Sequence, residues 1–128
     1  MSGGIVADAP PDNLLFDTDV FVDHLRGARR LPRITGSYSV ITRAELFAGD
    51  EKDEPAVRGL LALHTEIPLD DDIAEHAGRI RHTSAVRLPD AVIAATALEH
   101  GLNLVTRKRR DFAPIRGLRV RDPAGLRS

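Results

Sequence analysis

Residues 14–20 read Leu14-Leu15-Phe16-Asp17-Thr18-Asp19-Val20, an apolar triplet ended by an acid. Successive side chains of a strand point to opposite faces, so an unbroken apolar triplet describes a strand buried on both sides, as in parallel sheets. Val20, Phe21 and Leu25 then recur at helical spacing, and Gly27 stops that helix. A buried strand leading straight into a helix is the beginning of an α/β fold.

The rest of the chain repeats the alternation. Residues 38–41 form a second β-rich run, and residues 42–47 open a helix that ends near Gly49. Residues 57–64 carry Val57, Leu60, Leu61 and Leu63 at helical spacing. Ile67-Pro68-Leu69 suits a short edge strand, where proline is tolerated. Residues 71–82 are amphipathic, with Ile73, Ala74, Ala77 and Ile80 on one side. Residues 89–100 are apolar nearly all round, with Pro89 fit for the first turn and Gly101 for the stop, which predicts a central helix. Residues 103–106 and 118–120 complete the strands. The expectation is a central, mostly parallel sheet with helices on both faces, its site beyond the carboxyl ends of the strands. Residues 14–128 are expected to form one domain, and residues 1–13, with Gly3-Gly4 and Pro10-Pro11, a loosely ordered extension.

Composition removes several classes of function. The 128 residues contain no cysteine, which excludes disulfides, thiolate zinc sites and a cysteine nucleophile, and fits a cytoplasmic protein. No apolar run approaches the roughly 20 residues of a membrane-spanning helix. His24, His64, His76, His82 and His100 include no pair at the i, i+4 spacing of a helical zinc motif, so they read as surface or core residues. Neither a Ser–His triad pattern nor a glycine-rich phosphate loop is present. The net charge of −1 hides an asymmetry: residues 45–75 hold ten acids against Lys52 and Arg58, whereas residues 107–121 hold seven bases against Asp111. That basic run contains Arg107, Arg109 and Arg110, and arginine is suited to bidentate contacts with phosphate. A solvated surface is the plainer account of the same charges.

Four acids stand at strand ends or helix starts. Asp17 follows the first strand, where it would serve either as a helix cap or in a site. Glu45 completes Thr42-Arg43-Ala44-Glu45, which has the form of a capping box. Asp90 lies in the first turn of the central helix, where the helix dipole favours an acid. Asp111 follows the strand at 103–106 and the basic residues after it, and could be an ordinary turn residue. Each has a structural account alone. Together they place four carboxylates on one edge, where like charges oppose ionisation and a hard divalent cation such as Mg²⁺ would resolve the conflict. Such an ion activates water toward a phosphodiester, with the arginines beside it to meet phosphate.

The ordered set of these segments resembles the PIN-domain family, and its VapC toxins in particular. It comprises residues 14–20, then Ile41-Thr42-Arg43-Ala44-Glu45-Leu46-Phe47-Ala48-Gly49, then Leu69-Asp70-Asp71-Asp72-Ile73-Ala74. Leu88-Pro89-Asp90-Ala91-Val92-Ile93-Ala94-Ala95-Thr96-Ala97, Leu104-Val105-Thr106-Arg107 and Asp111-Phe112 complete it, so that it spans residues 14–123. The resemblance implies a three-layer α/β/α PIN domain and a Mg²⁺- or Mn²⁺-dependent endoribonuclease acting on structured RNA such as tRNA or ribosomal RNA. Asp17 and Asp90 match the family's metal positions, Glu45 its third acid and Asp111 the acid before phenylalanine in its last motif, while Thr18 would orient the first acid. It also implies a homodimer silenced by a VapB antitoxin.

The chain departs from that pattern at Lys108, where relatives often carry Asn or Asp, since a charged ammonium cannot bind metal. The stretch at 83–87 is also short. Two other classes compete. Asp17-Thr18-Asp19-Val20 also looks like the first motif of haloacid-dehalogenase phosphatases, with Asp17 as nucleophile and Asp19 as general acid, an assignment that leaves Glu45 and Asp90 without a role. The other is a non-catalytic RNA- or partner-binding module with a degraded site.

Overall fold

Leu14, Leu15 and Phe16 are all fully buried, as a strand of a covered parallel sheet requires. The computed structural model describes residues 13–127; the expected N-terminal extension falls on residues outside these, except for Asn13. The chain runs β1 (Leu14–Phe16), α1 (Thr18–Leu25), β2 (Ser37–Ser39), α2 (Val40–Phe47), a 3₁₀ turn (Glu51–Asp53) and α3 (Glu54–Leu61). It continues β3 (Thr65–Ile67), α4 (Asp71–Thr83), α5 (Leu88–His100), β4 (Asn103–Val105), α6 (Arg109–Phe112), β5 (Val120–Arg121) and a 3₁₀ turn (Pro123–Gly125).

The strands lie in the order β3-β2-β1-β4-β5, and each neighbouring pair is parallel. Alternation along the strands sends side chains into two cores. Leu14, Phe16, Tyr38 and Val105 pack with Val20, Phe21, Leu46, Val57, Leu60 and Leu61 of α1, α2 and α3. Leu15 and Leu104 pack on the other face with Ile73, Ala77 and Ile80 of α4 and with the body of α5. The result is the expected three-layer α/β/α arrangement. No helix among the described residues is long and apolar enough to cross a membrane.

The central helix behaves as its sequence predicts: every residue from Asp90 to Ala97 is buried, and Gly101 ends the helix at φ 66°. Gly36 is fixed by a close approach, because a Cβ there would stand 2.7 Å from Phe16 Cε2 and 3.0 Å from the Leu14 carbonyl.

Several boundaries differ from the sequence reading. The second strand is Ser37–Ser39, and residues 40 and 41 are already helical. Ser39 Oγ accepts from the Ile41 amide at 3.1 Å and caps α2, so Thr42 is not the cap and the expected capping box does not form. The third strand ends at Ile67, before Pro68, which has no amide to continue a ladder. The last strand is Val120–Arg121 rather than 118–120, its register set by Leu104 and Val105.

From β1 the chain steps to β2 and β3 on one side, then crosses to β4 on the other side of β1. The direction of winding therefore reverses between β1 and β4, the place where open α/β sheets leave a crevice at their carboxyl ends.

Candidate metal centre

Asp17 stands at this reversal. Its amide donates to the Val105 carbonyl at 2.9 Å, which ties the end of β1 to the end of β4. Its Oδ1 accepts from the Thr18 amide at 2.8 Å and caps α1, while its Oδ2 accepts from Thr106 Oγ1 at 2.7 Å. Of the two roles considered for Asp17, the cap is taken by Oδ1, which leaves Oδ2 facing Thr106. The side chain is 1% exposed. Burial first, and the neighbouring Asp19 charge second, push its carboxyl up to about 6, against the opposing pull of Thr106, Lys108 and Thr18.

Asp19 lies beside it in the first turn of α1. Its Oδ2 accepts from Thr106 Oγ1 at 3.3 Å and from the Arg107 amide at 3.2 Å. Its Oδ1 is buried without a hydrogen-bond partner. Burial pushes this carboxyl up too, although the Arg107 and Lys108 charges oppose the shift. Thr106 is the hub between the two acids. Its hydroxyl accepts from the Lys108 amide at 3.0 Å, so a single proton is left for two carboxylates, and the shorter contact goes to Asp17.

Asp90, in the first turn of α5, is also buried. Lys108 Nζ sits 3.4 Å from Asp90 Oδ1 and 4.0 Å from Asp17 Oδ2. The two acids are thereby brought together, with an ammonium between them. Burial alone would depress that ammonium, but the Asp17 and Asp90 charges outweigh it and hold Lys108 above the usual lysine value. Among the described residues no three carboxylates or imidazoles converge closely enough to enclose an ion.

Glu45 reaches the same edge through threonines. Thr18 Oγ1 donates to Glu45 Oε1 at 2.6 Å and lies 2.9 Å from Thr42 Oγ1. Because the Thr18 proton goes to the carboxylate, Thr42 must be the donor in the second contact. The buried Thr42, expected to be a helix cap, instead supports Thr18. Asp111 is exposed and lies further out, where it lines a hollow with Asp90, Arg87, Arg110, Val86 and Pro114.

The predicted basic residues separate. Arg107 Nε donates to Asp23 Oδ2 at 2.9 Å, and Arg109 lies 3.7 Å from Asp122. Arg110 opens onto the hollow, with Arg87 in the same lining. Sequence reasoning assigned no part in such a site to Arg87, Thr106 or Thr42. It weighed Asp19 only as a phosphatase acid; the signal was its place one residue past Thr18, on the first turn that Asp17 caps. His24 and His64 serve the backbone, each Nδ1 accepting an amide, from Leu31 at 2.9 Å and Gly36 at 3.3 Å.

The PIN domain family model matches residues 14–118 of this chain. Among solved structures, the chain is similar to one from a toxin-antitoxin complex of Klebsiella pneumoniae, with 36% identity and a TM-score of 0.72, covering 86% of this chain and 97% of that one. It is similar to a chain of DNA-bound VapBC from Salmonella typhimurium, with 26% identity and a TM-score of 0.75 over 86% and 97% of the two chains. A chain of VapBC-5 from Mycobacterium tuberculosis shows 30% identity and a TM-score of 0.60 over 84% and 94%. No curated protein matches the chain.

Proposed function

The chain belongs to the PIN-domain family, and on that premise we propose that it is a VapC-type toxin, a Mg²⁺- or Mn²⁺-dependent endoribonuclease that hydrolyses phosphodiester bonds in structured RNA. The observation that carries this is the burial of Asp17 and Asp90 at the reversal of a parallel sheet. The phosphatase alternative falls with the family assignment.

The residue types at this edge suit the metal, although fewer than three of the described carboxylates converge on one point. Carboxylate oxygens are the ligands Mg²⁺ prefers, and Asp19 Oδ1 is a buried anionic oxygen with no partner. Asp17 and Asp90 would hold the ion, with Glu45 and Asp111 completing the acidic site. A divalent ion there would make water a better nucleophile and offset charge on the leaving oxygen. The chain supplies the remainder. Thr106 fixes Asp17 and Asp19 through its shared proton. Thr18 engages Glu45 Oε1, which leaves Oε2 as the atom to take a proton from the attacking water. Arg110 and Arg87 line the hollow beside Asp90 and would meet phosphate, while Arg107 and Arg109 would have to leave Asp23 and Asp122 to join them. Neutralising Arg107, Arg109 and Arg110 together should weaken RNA binding; unchanged affinity in a filter-binding titration would remove them from the interface.

Because the similar structures are toxin-antitoxin and VapBC complexes, the partner is taken to be a VapB-type antitoxin. The homodimer, the cytoplasmic setting and the choice of tRNA or ribosomal RNA follow from the resemblance to VapC toxins. A non-catalytic binding module is the second reading, favoured by the ammonium that lies where a metal-binding side chain is common.

Expression of the wild type and Asp90→Asn, followed by mapping of new RNA 5′ ends, decides between them. Growth arrest with discrete cuts from the wild type alone is expected. No cuts from either folded protein would overturn the nuclease reading, and RNA binding indifferent to Mg²⁺ and to Asp17→Asn would select the binding module.

A further inference from the structure

The acidic site contains a cation that belongs to the chain. Lys108 Nζ spans Asp17 and Asp90 at 4.0 and 3.4 Å, and its side chain is 34% exposed. This placement is tied down at both ends. The Lys108 amide donates to Thr106 Oγ1, the hydroxyl that also serves Asp17 and Asp19. At the far end the ammonium lies 6.0 Å from the centre of the buried Phe112 ring. A lysine held at its backbone to the hub of the site, with its head against two of the acids, is part of that site rather than a loose surface charge.

Charge and space limit what else the site can take. Asp17, Asp19, Glu45 and Asp90 carry four negative charges when ionised, and Lys108 returns one. One divalent ion leaves the group near neutrality; a second would make it positive and would have to approach an ammonium at contact distance, where repulsion is strong. The carboxylate with unmet demand is Asp19, through its buried Oδ1, whereas the Asp17 and Asp90 oxygens that face Lys108 already have a cation.

We propose that Lys108 is the resident second cation of the site, standing against one oxygen each of Asp17 and Asp90 where a second divalent ion would otherwise bind, so that the chain binds one such ion. The inference rests on the metal-nuclease reading given above, and it assigns Lys108 a positioning role toward the metal.

Mn²⁺ titration of the full chain, followed by calorimetry and by electron paramagnetic resonance of free Mn²⁺, tests this without any nuclease assay. The wild type should bind one Mn²⁺. Lys108→Met, which removes the charge and supplies no ligand, should still bind one, roughly tenfold tighter or more. Lys108→Asp, which exchanges the cation for a ligand, should bind two. Melting in EDTA confirms that each variant folds, and Lys108→Gln replaces Lys108→Met should the latter not melt cooperatively. Two ions in the wild type, or an affinity unchanged when the charge is removed, would overturn the proposal and leave the metal reading standing. No Mn²⁺ bound by any form would overturn both.

Discussion

Thr96 and Thr106 are buried equally deeply, at 1% and 0% exposure, yet they belong to opposite kinds of interior. Thr96 donates to the Val92 carbonyl at 2.7 Å within its own helix, surrounded by the apolar body of α5. Thr106 divides one proton between Asp17 and Asp19, and an oxygen of Asp19 beside it has no partner. The first interior satisfies its polar atoms locally and contributes stability. The second gathers charge that burial opposes, at a cost in stability. The α4–α5 layer is thus an apolar interior with its polar atoms satisfied, whereas the proposed site lies at the ends of β1 and β4.

Breaking the first interior should have the largest effect on folding. Ile93→Ala, at a fully buried position of α5, should lower unfolding free energy by about 2–5 kcal/mol, read from denaturant midpoints at constant slope. A loss under 1 kcal/mol would show that this layer is not where stability resides.

The second interior should respond in the opposite sense. Asp17 is harder to ionise folded than unfolded, so the folded state holds its proton to higher pH. Its contribution is most favourable below the usual value of 3.8, declines as pH rises, and is least favourable above about 6. In EDTA at pH 7.5, Asp17→Asn should therefore stabilise the chain, on the order of 3 kcal/mol. The gain should shrink as pH falls from 6 and vanish below 3.8. Destabilisation at pH 7.5 would mean that the cap and hydrogen bonds at Asp17 outweigh its burial.

The two threonines sharpen the contrast directly. Thr106→Val withdraws the side-chain donor that Asp17 and Asp19 share, and should cost about 1–3 kcal/mol near neutral pH. Thr96→Val leaves the Val92 carbonyl its place in the helix ladder and should change stability by less than about 1 kcal/mol. Similar values for both would erase the distinction between the two interiors. A helix start falls between the two threonines: Ser39→Ala should cost about 1 kcal/mol through loss of the α2 cap, whereas loss of the Thr42 hydroxyl should disturb Thr18 and Glu45 instead.

What could be read from the residues divides along the same line. The strand at 14–16 and the central helix were legible because burial on every side leaves a nearly unbroken apolar run, a signal that needs no knowledge of neighbours, and Leu104-Val105 gave a shorter version of it after the half-buried Asn103. Asp17 and Asp90 were legible because each sits one step beyond such a run or inside the first turn of such a helix. Helix starts were harder. Ser39 and Thr42 are both good caps by local chemistry, and the choice fell to tertiary contacts: Ser39 pairs in register with Ile67, and Thr42 is buried toward Thr18. Lys108 stood out as an unexpected residue type, but its location between two acids depends on β4 lying beside β1, and nothing local to residue 108 encodes that. The pairing of Arg107 with Asp23 depends on the same juxtaposition.

The hydroxyl of Thr106 has one further consequence. Its proton lies in a fully buried group, is directed at two carboxylates, and is shut away from bulk water. Such a proton should exchange slowly with solvent, and a resolved downfield hydroxyl resonance lost in Thr106→Val is the expected outcome in a proton spectrum. That resonance would serve as an intrinsic reporter at the acidic edge, expected to shift when the charge around Asp17 changes and to require neither label nor substrate.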